Sequence, residues 1–215
     1  MSVIKLLNGL DLSGKTSIAL EIQSRDINRY IVHRKFVSNI NVLDDMQHKN
    51  VFVFDPYKFT PLLINLIQQD IFNLENGLGL SSSKVLIQDS LWPVKYATRL
   101  LMDDVCDYHK EAQSIIDVMK KYPSMDSYYF FVEYEERRRR FLNELEKGAR
   151  ITPFDKMIMN ETHFSKIEEH YKGILLSLFP NTKIVDTTIL TINEVADYLT
   201  AEFECDNVQR NVSII

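Results

Sequence analysis

The chain has 215 residues, long enough to bury one sizeable core and consistent with a single domain. A net charge of −5 supplies no global basic field for nucleic acid or an anionic membrane, and no apolar run approaches the length of a membrane span. Hydrophobic residues at 45% and charged residues at 26% are ordinary for a soluble globular protein. Cys106 and Cys205 are too few for a disulfide framework or a zinc cluster, so a reducing, cytoplasmic location is expected, with both thiols as small packed side chains.

Val3 to Leu7 reads as a short buried strand that runs straight into Gly9-Leu10-Asp11-Leu12-Ser13-Gly14-Lys15-Thr16, leaving no room for a signal peptide. Ile18, Ala19 and Ile22 recur at helical spacing after it. Tyr30 to Phe36 reads as a second strand ending on Arg34 and Lys35, and Val51 to Phe54 is a further short apolar run. Pro56 to about Asn76 carries Leu62, Leu63, Leu66, Ile67 and Phe72 at helical spacing, with Pro56 in a plausible first turn. Gly77 and Gly79 end it, and Ser81 to Ser83 form a loop.

Lys84 to Asp89 is the third strand, apolar until its final acid. Helices are predicted over Trp92–Asp104 and Tyr108–Lys121, the second stopped by Pro123. Tyr128 to Val132 is the fourth strand, followed by a charged helix through Arg137-Arg138-Arg139-Arg140 that closes at Gly148. After a loop from Arg150 to Pro153, a long helix is expected from Phe154 or Asp155 to Leu178. Lys183 to Asp186 is a fifth strand, and Ile192 to Phe203 a closing helix. One domain over 1–205 is expected, with a lid-like segment at about 134–154 and a loose tail over 206–215. Alternating strands and helices predict an α/β fold, a parallel sheet with helices on both faces and ligands beyond the carboxyl ends of the strands.

Each residue type in the Gly9–Thr16 loop has a mechanical reason. Gly9 and Gly14 permit backbone conformations in which successive N–H groups, from Leu10 through Ser13 to Ser17, converge on phosphate oxygens. The following helix N-terminus adds unpaired donors and partial positive charge. Lys15 would reach the β- and γ-phosphates, and the Thr16 hydroxyl would take a place on Mg²⁺. Asp89 suits either a metal site or a base for an acceptor hydroxyl, its bland alternative being a helix cap.

Arg137 and Arg140, three apart, share a helix face and are candidate phosphate clamps, while Glu133–Arg137 and Glu136–Arg140 are equally good surface pairs. Arg150 is a candidate closing arm. On the acceptor side, Arg34 could meet a phosphate, Phe59 and Trp92 could stack on a flat substrate, and Arg99 could supply a replacement clamp. His109, His163 and His170 have no evident chemical partners.

The loop Gly-Leu-Asp-Leu-Ser-Gly-Lys-Thr with its acid Asp11, the strand ending on Asp89 and the lid-like run to Arg150 resemble the nucleoside and nucleotide kinase family, most closely thymidylate kinase-like proteins. The closing pattern from Tyr171 through Phe179-Pro180 and Ile184-Val185-Asp186 to Asn193-Glu194-Val195 is similar too. The resemblance implies five parallel strands in the order 2-3-1-4-5, ATP as donor, Mg²⁺ as cofactor and a nucleotide or nucleoside acceptor, with Asp11 on both donor and acceptor sides and a homodimer left open. The departures lie on the acceptor side. Ser90 stands where the family carries an arginine after the strand-three acid, and His33-Arg34-Lys35-Phe36 replaces its Arg-Glu-Pro-Gly signature. Losing a clamp while keeping Asp89 tilts slightly towards a hydroxyl or unusual acceptor. A GTPase switch lacks support, since no Asn-Lys-x-Asp motif exists, and a degenerate nucleotide-binding protein without turnover is the remaining alternative.

Overall fold

A computed structural model describes residues 3–33, 55–76, 84–103, 107–148 and 159–212, with side chains to residue 205. The elements in chain order are β1 (Val3–Asn8), α1 (Lys15–Arg25), β2 (Tyr30–His33), α2 (Pro56–Glu75), β3 (Val85–Asp89) and α3 (Trp92–Leu101). They continue as α4 (His109–Met119), β4 (Asp126–Phe131), α5 (Tyr134–Glu146), α6 (Glu161–Leu178), β5 (Lys183–Asp186) and α7 (Ile192–Val212). The strands form one parallel sheet in the order β2-β3-β1-β4-β5, as the sequence resemblance implies.

Side-chain alternation along the strands divides the core into two layers. Ile4, Leu6, Leu86 and Tyr129 face the larger layer, with apolar residues of α2, α3, α4 and α6. Leu7, Ile87, Tyr128, Phe130 and Val185 face the other, with Ile18 and Ile22 of α1 and Val195, Leu199 and Phe203 of α7. Lys5 is the exception in β1: fully buried on the second face, it pairs with Asp126 at 2.9 Å and lies 5.0 Å from the Phe203 ring centroid. A buried ammonium is tolerated there because a carboxylate and a π face replace its water.

Several boundaries differ from the sequence reading. The long helix α6 starts at Glu161, because the Asn160 side chain accepts from the Thr162 and His163 N–H groups and caps it there. The closing helix α7 continues to Val212, through the polar stretch read as a loose tail from Asp206. Helix α3 ends at Leu101, with Met102 as its C-cap. Residues 34–54, 104–106 and 149–158, which include the Val51–Phe54 run, Cys106 and Phe154-Asp155, lie outside the described residues. Among the described residues no helix is long and apolar enough to cross a membrane.

Candidate active site

The central strand β1 ends at Asn8, and the chain then wraps a loop before entering α1. Gly9 has φ 146°, and a Cβ there would meet the Phe130 carbonyl oxygen at 2.7 Å and Ser13 Oγ at 2.9 Å. Only glycine fits. Leu12 at φ 66° and Gly14 at φ 85° complete a backbone curl that leaves N–H groups pointing inward at the head of α1. Lys15 folds back over this curl, Nζ donating to the Leu10 carbonyl at 2.8 Å and Ser13 Oγ at 3.1 Å. Burial is the main cause that lowers its ammonium to about 8, against the opposing pull of Asp11 and Asp89.

Asp89 closes β3 beside β1, and its Oδ2 accepts the Thr16 hydroxyl at 2.6 Å. It does not cap α3, whose N-cap is Leu91. Two hard oxygen ligands thus meet at the start of α1, a donor set suited to Mg²⁺. Between Asp89 and Leu91 the chain turns on Ser90 at φ 65°, its N–H donating to the Leu7 carbonyl at 2.8 Å. The Leu91 N–H donates to Asn8 Oδ1 at 3.2 Å, which ties the start of α3 to the end of β1.

The arginine run divides as helix geometry requires. Arg138 lies on the exposed side, 3.9 Å from Glu135, while Arg139 pairs with Glu136 at 2.6 Å and lines the rim of the cavity above the loop. Arg140 turns over the loop: Nη1 donates to the Leu12 carbonyl at 3.1 Å, Nη2 to the Thr187 carbonyl at 2.6 Å and Nε to Glu136 at 2.7 Å. The Arg139 hydrogen bond, opposed by burial and aided by Arg140, holds the Glu136 carboxyl down at about 2.

Arg137 departs from the expectation. It is 0% exposed, donates to the Asp11 carbonyl, and lies 5.2 Å from the Phe164 ring centroid. A guanidinium so enclosed cannot face a transferring phosphoryl group without moving, and it does not form the Glu133 surface pair. It instead anchors the loop backbone from beneath. Arg137→Ala is expected to cost about 3 kcal/mol or more by urea unfolding, since it leaves a buried carbonyl unpaired and a cavity behind. A loss below about 1 kcal/mol would remove this anchoring role.

A cavity of about 880 Å³ opens above the loop, within the usual range for small-molecule sites. Its floor is Asp11 to Ile18. One wall carries Gln88, Asp89, Trp92 and Asp70, and the other carries Arg140 and Asn143 of α5 with the stretch from Thr187 to Ile192. Trp92 lines the cavity and stacks on Tyr96, their ring centroids 5.5 Å apart and planes 13° apart. Phe59 does not offer a stacking face. It is 0% exposed, with its ring edge-on to both Trp92 and Tyr96, so it backs the wall instead. Arg99, in the last turn of α3, is not among the residues lining the cavity. Arg34 and Arg150 lie outside the described residues.

Sequence reasoning missed Lys95. It lies in the first turn of α3 and pairs with the Asp11 carboxylate. Burial pushes that carboxyl up, but Lys95 first, then Lys15 and Arg137, outweigh it and hold Asp11 below the usual carboxylate range. A signal was available, because Lys95 and Arg99 are four apart on one helix and Lys95 is a turn nearer the strand ends. Asp70 and Gln88 were also missed. Asp70 is buried in α2 and accepts the Tyr122 hydroxyl at 2.8 Å, with burial pushing its carboxyl up.

A parallel sheet of this order, with a glycine loop running from its central strand into a helix, is the fold of P-loop nucleotide kinase-like structures. Solved structures similar to it include thymidylate kinase from Candida albicans, with a TM-score of 0.65 at 16% identity over 96% of this chain and 92% of that one. Deoxyadenosine kinase from M. mycoides superposes with a TM-score of 0.61 at 11% identity, covering 94% of this chain and 100% of that one. Thymidylate kinase from Ehrlichia chaffeensis gives 0.56 at 12% identity, over 94% and 98% of the two chains. No protein-family model and no curated protein sequence matches the chain.

Proposed function

We propose that this protein is an ATP-dependent phosphotransferase that moves the γ-phosphoryl group to a small-molecule acceptor, a nucleotide or nucleoside, with Mg²⁺ as cofactor. The observation that carries the reading is the 2.6 Å contact between Thr16 and Asp89 at the head of the phosphate loop. The two residues would hold the metal together, and Mg²⁺ would supply charge neutralisation to the donor phosphates. Lys15 exchanges its present partners, the Leu10 carbonyl and Ser13 Oγ, for phosphate oxygens. Loop N–H groups bind the same oxygens, and Arg140 closes the site from the lid side. The similar solved structures named above are nucleoside and nucleotide kinases, which supports an acceptor of that kind.

The test is ADP release from Mg-ATP in the presence of nucleosides, nucleotides and other small hydroxyl compounds. Acceptor-stimulated release that disappears in Lys15→Ala is the expected result. ATP binding without stimulation by any acceptor would mark the chain as a nucleotide-binding protein without turnover, and stimulation only by non-nucleoside hydroxyl compounds would move the acceptor to another class.

A further inference from the structure

Among the carboxylates that line the cavity, Asp70 stands apart. Asp11 pairs with Lys95, Asp89 accepts the Thr16 hydroxyl, Glu136 is held by Arg139 and Arg140, and Glu144 pairs with Lys147 at 2.8 Å. Asp70 lines the same cavity from α2 while only 2% exposed. Its Oδ2 accepts the Tyr122 hydroxyl at 2.8 Å, but its Oδ1 has no hydrogen-bond partner among the described residues. A buried carboxylate oxygen without a donor is costly, and a ligand that brings a donor relieves that cost.

Burial works against the Asp70 charge, whereas the Tyr122 hydroxyl and the His33 imidazole favour it. Among the described residues no charge from the phosphate loop acts on this carboxyl, which sets it apart from the transferring phosphoryl group and from a role as its base. Gln88, on the same wall, has both amide atoms engaged: Oε1 meets His33 Nδ1, and Nε2 donates to the Ser90 carbonyl at 3.1 Å. Trp92, backed by Tyr96, adds an aromatic surface. One open acceptor beside an aromatic ring suits a flat heterocycle that carries an amino group.

We propose that Asp70 reads an exocyclic amino group on the acceptor's base, so that the acceptor carries adenine, cytosine or guanine rather than thymine or uracil. The assignment rests on the phosphotransferase reading above and moves the acceptor away from thymidylate. An amino N–H donates to Oδ1 and supplies its missing partner. Thymine and uracil present keto oxygens there, and their N3–H lies between two of them, which the carboxylate repels. Discrimination follows because a base without the amine leaves Oδ1 buried and unpaired.

The experiment is titration calorimetry of the wild type, Asp70→Ala and Asp70→Asn with Mg²⁺ and a non-hydrolysable ATP analogue present. The probes are deoxynucleosides and their 5′-monophosphates. Each amino base is matched with the analogue lacking only the amine: purine for adenine, pyrimidin-2-one for cytosine and hypoxanthine for guanine, with thymine added. The wild type is expected to bind its best amino compound at least about tenfold tighter than the matched analogue and the thymine compound, a comparison that needs no variant to fold. Asp70→Ala is expected to erase the preference. Asp70→Asn keeps an oxygen for Tyr122 and turns an amide N–H to the cavity, so it is expected to shift the preference towards thymine.

Equal wild-type affinity within the matched pairs, tighter binding of thymine, binding of no probe, or a preference that survives in Asp70→Ala would each overturn the assignment. Affinity for the ATP analogue is expected to change less than about threefold in both variants. A larger loss would give Asp70 to the donor's base and overturn it too. ADP release measured alongside separates the two readings. An Asp70-dependent amino preference without release would overturn the phosphotransferase and leave the base site standing, whereas release stimulated equally by thymine compounds would do the reverse.

Discussion

Lys15→Met is expected to abolish donor binding while leaving the protein at least as stable as the wild type. Burial lowers the Lys15 ammonium to about 8 from an ordinary 10.5. Between those values the unfolded chain binds the proton and the folded chain releases it, so this group makes stability rise with pH from about 8 to 10.5. Below about 8 the charged ammonium is carried into the fold at a cost of about 3 kcal/mol, which methionine does not incur. Against this, the variant forfeits the hydrogen bonds to the Leu10 carbonyl and Ser13 Oγ, about 1 kcal/mol each. A net gain of about 1 kcal/mol at pH 7 is expected in urea unfolding, together with flattening of the pH 8–10.5 slope. Affinity for ATP should fall at least about 100-fold by calorimetry, because the variant would lose the charge-assisted contacts to two phosphates that the proposed function gives Lys15. A clearly destabilised variant would mean that the inward Lys15 contacts hold the loop together. Retained ATP affinity would remove the loop from the donor site.

Asp89→Asn is the second large effect, with turnover expected to fall about 10²- to 10⁴-fold. Thr16→Val should cost a comparable factor, and the double variant little more than the worse single one, because under the proposed function the two hydrogen-bonded side chains would hold the metal as one unit. The Mg²⁺ concentration giving half-maximal ADP release should rise in both. Additive losses would mean that Asp89 and Thr16 act separately, and near-normal turnover in Asp89→Asn would reduce Asp89 to a scaffold residue.

The five strands were legible as local patterns, while their order was legible only through the family resemblance that the phosphate loop carries. Each strand is a short apolar run, each is followed by a helical period, and the glycine loop marks the central strand. The start of α6 was not legible. Apolar positions continue upstream of it through Ile158 and Phe154, and only the Asn160 side chain bonding two N–H groups sets the boundary at Glu161.

Among the arginines, helical spacing placed Arg137 and Arg140 on one face but could not say how that face docks. Docking puts Arg140 over the loop and sinks Arg137 beneath it, beside Phe164 of α6. Phe59 shows the same limit: an aromatic at the head of a helix reads equally as a stacking surface or as core, and packing against Trp92 and Tyr96 decides for core.

The sequence by itself determined the phosphate loop, because the left-handed and tightly approached positions at Gly9 and Gly14 are local backbone demands that residue type answers. It also determined the five strands and the acid that ends β3. Only the tertiary structure decided what that acid meets and which cation pairs with Asp11. Thr16 and Asp89 are 73 positions apart, and Asp11 and Lys95 are 84 apart. Their pairing depends on β1 and β3 lying side by side and on the turn at Ser90 that aims α3 back across them. Chain-distant side chains meet through sheet register and helix direction, which no local pattern around either residue encodes.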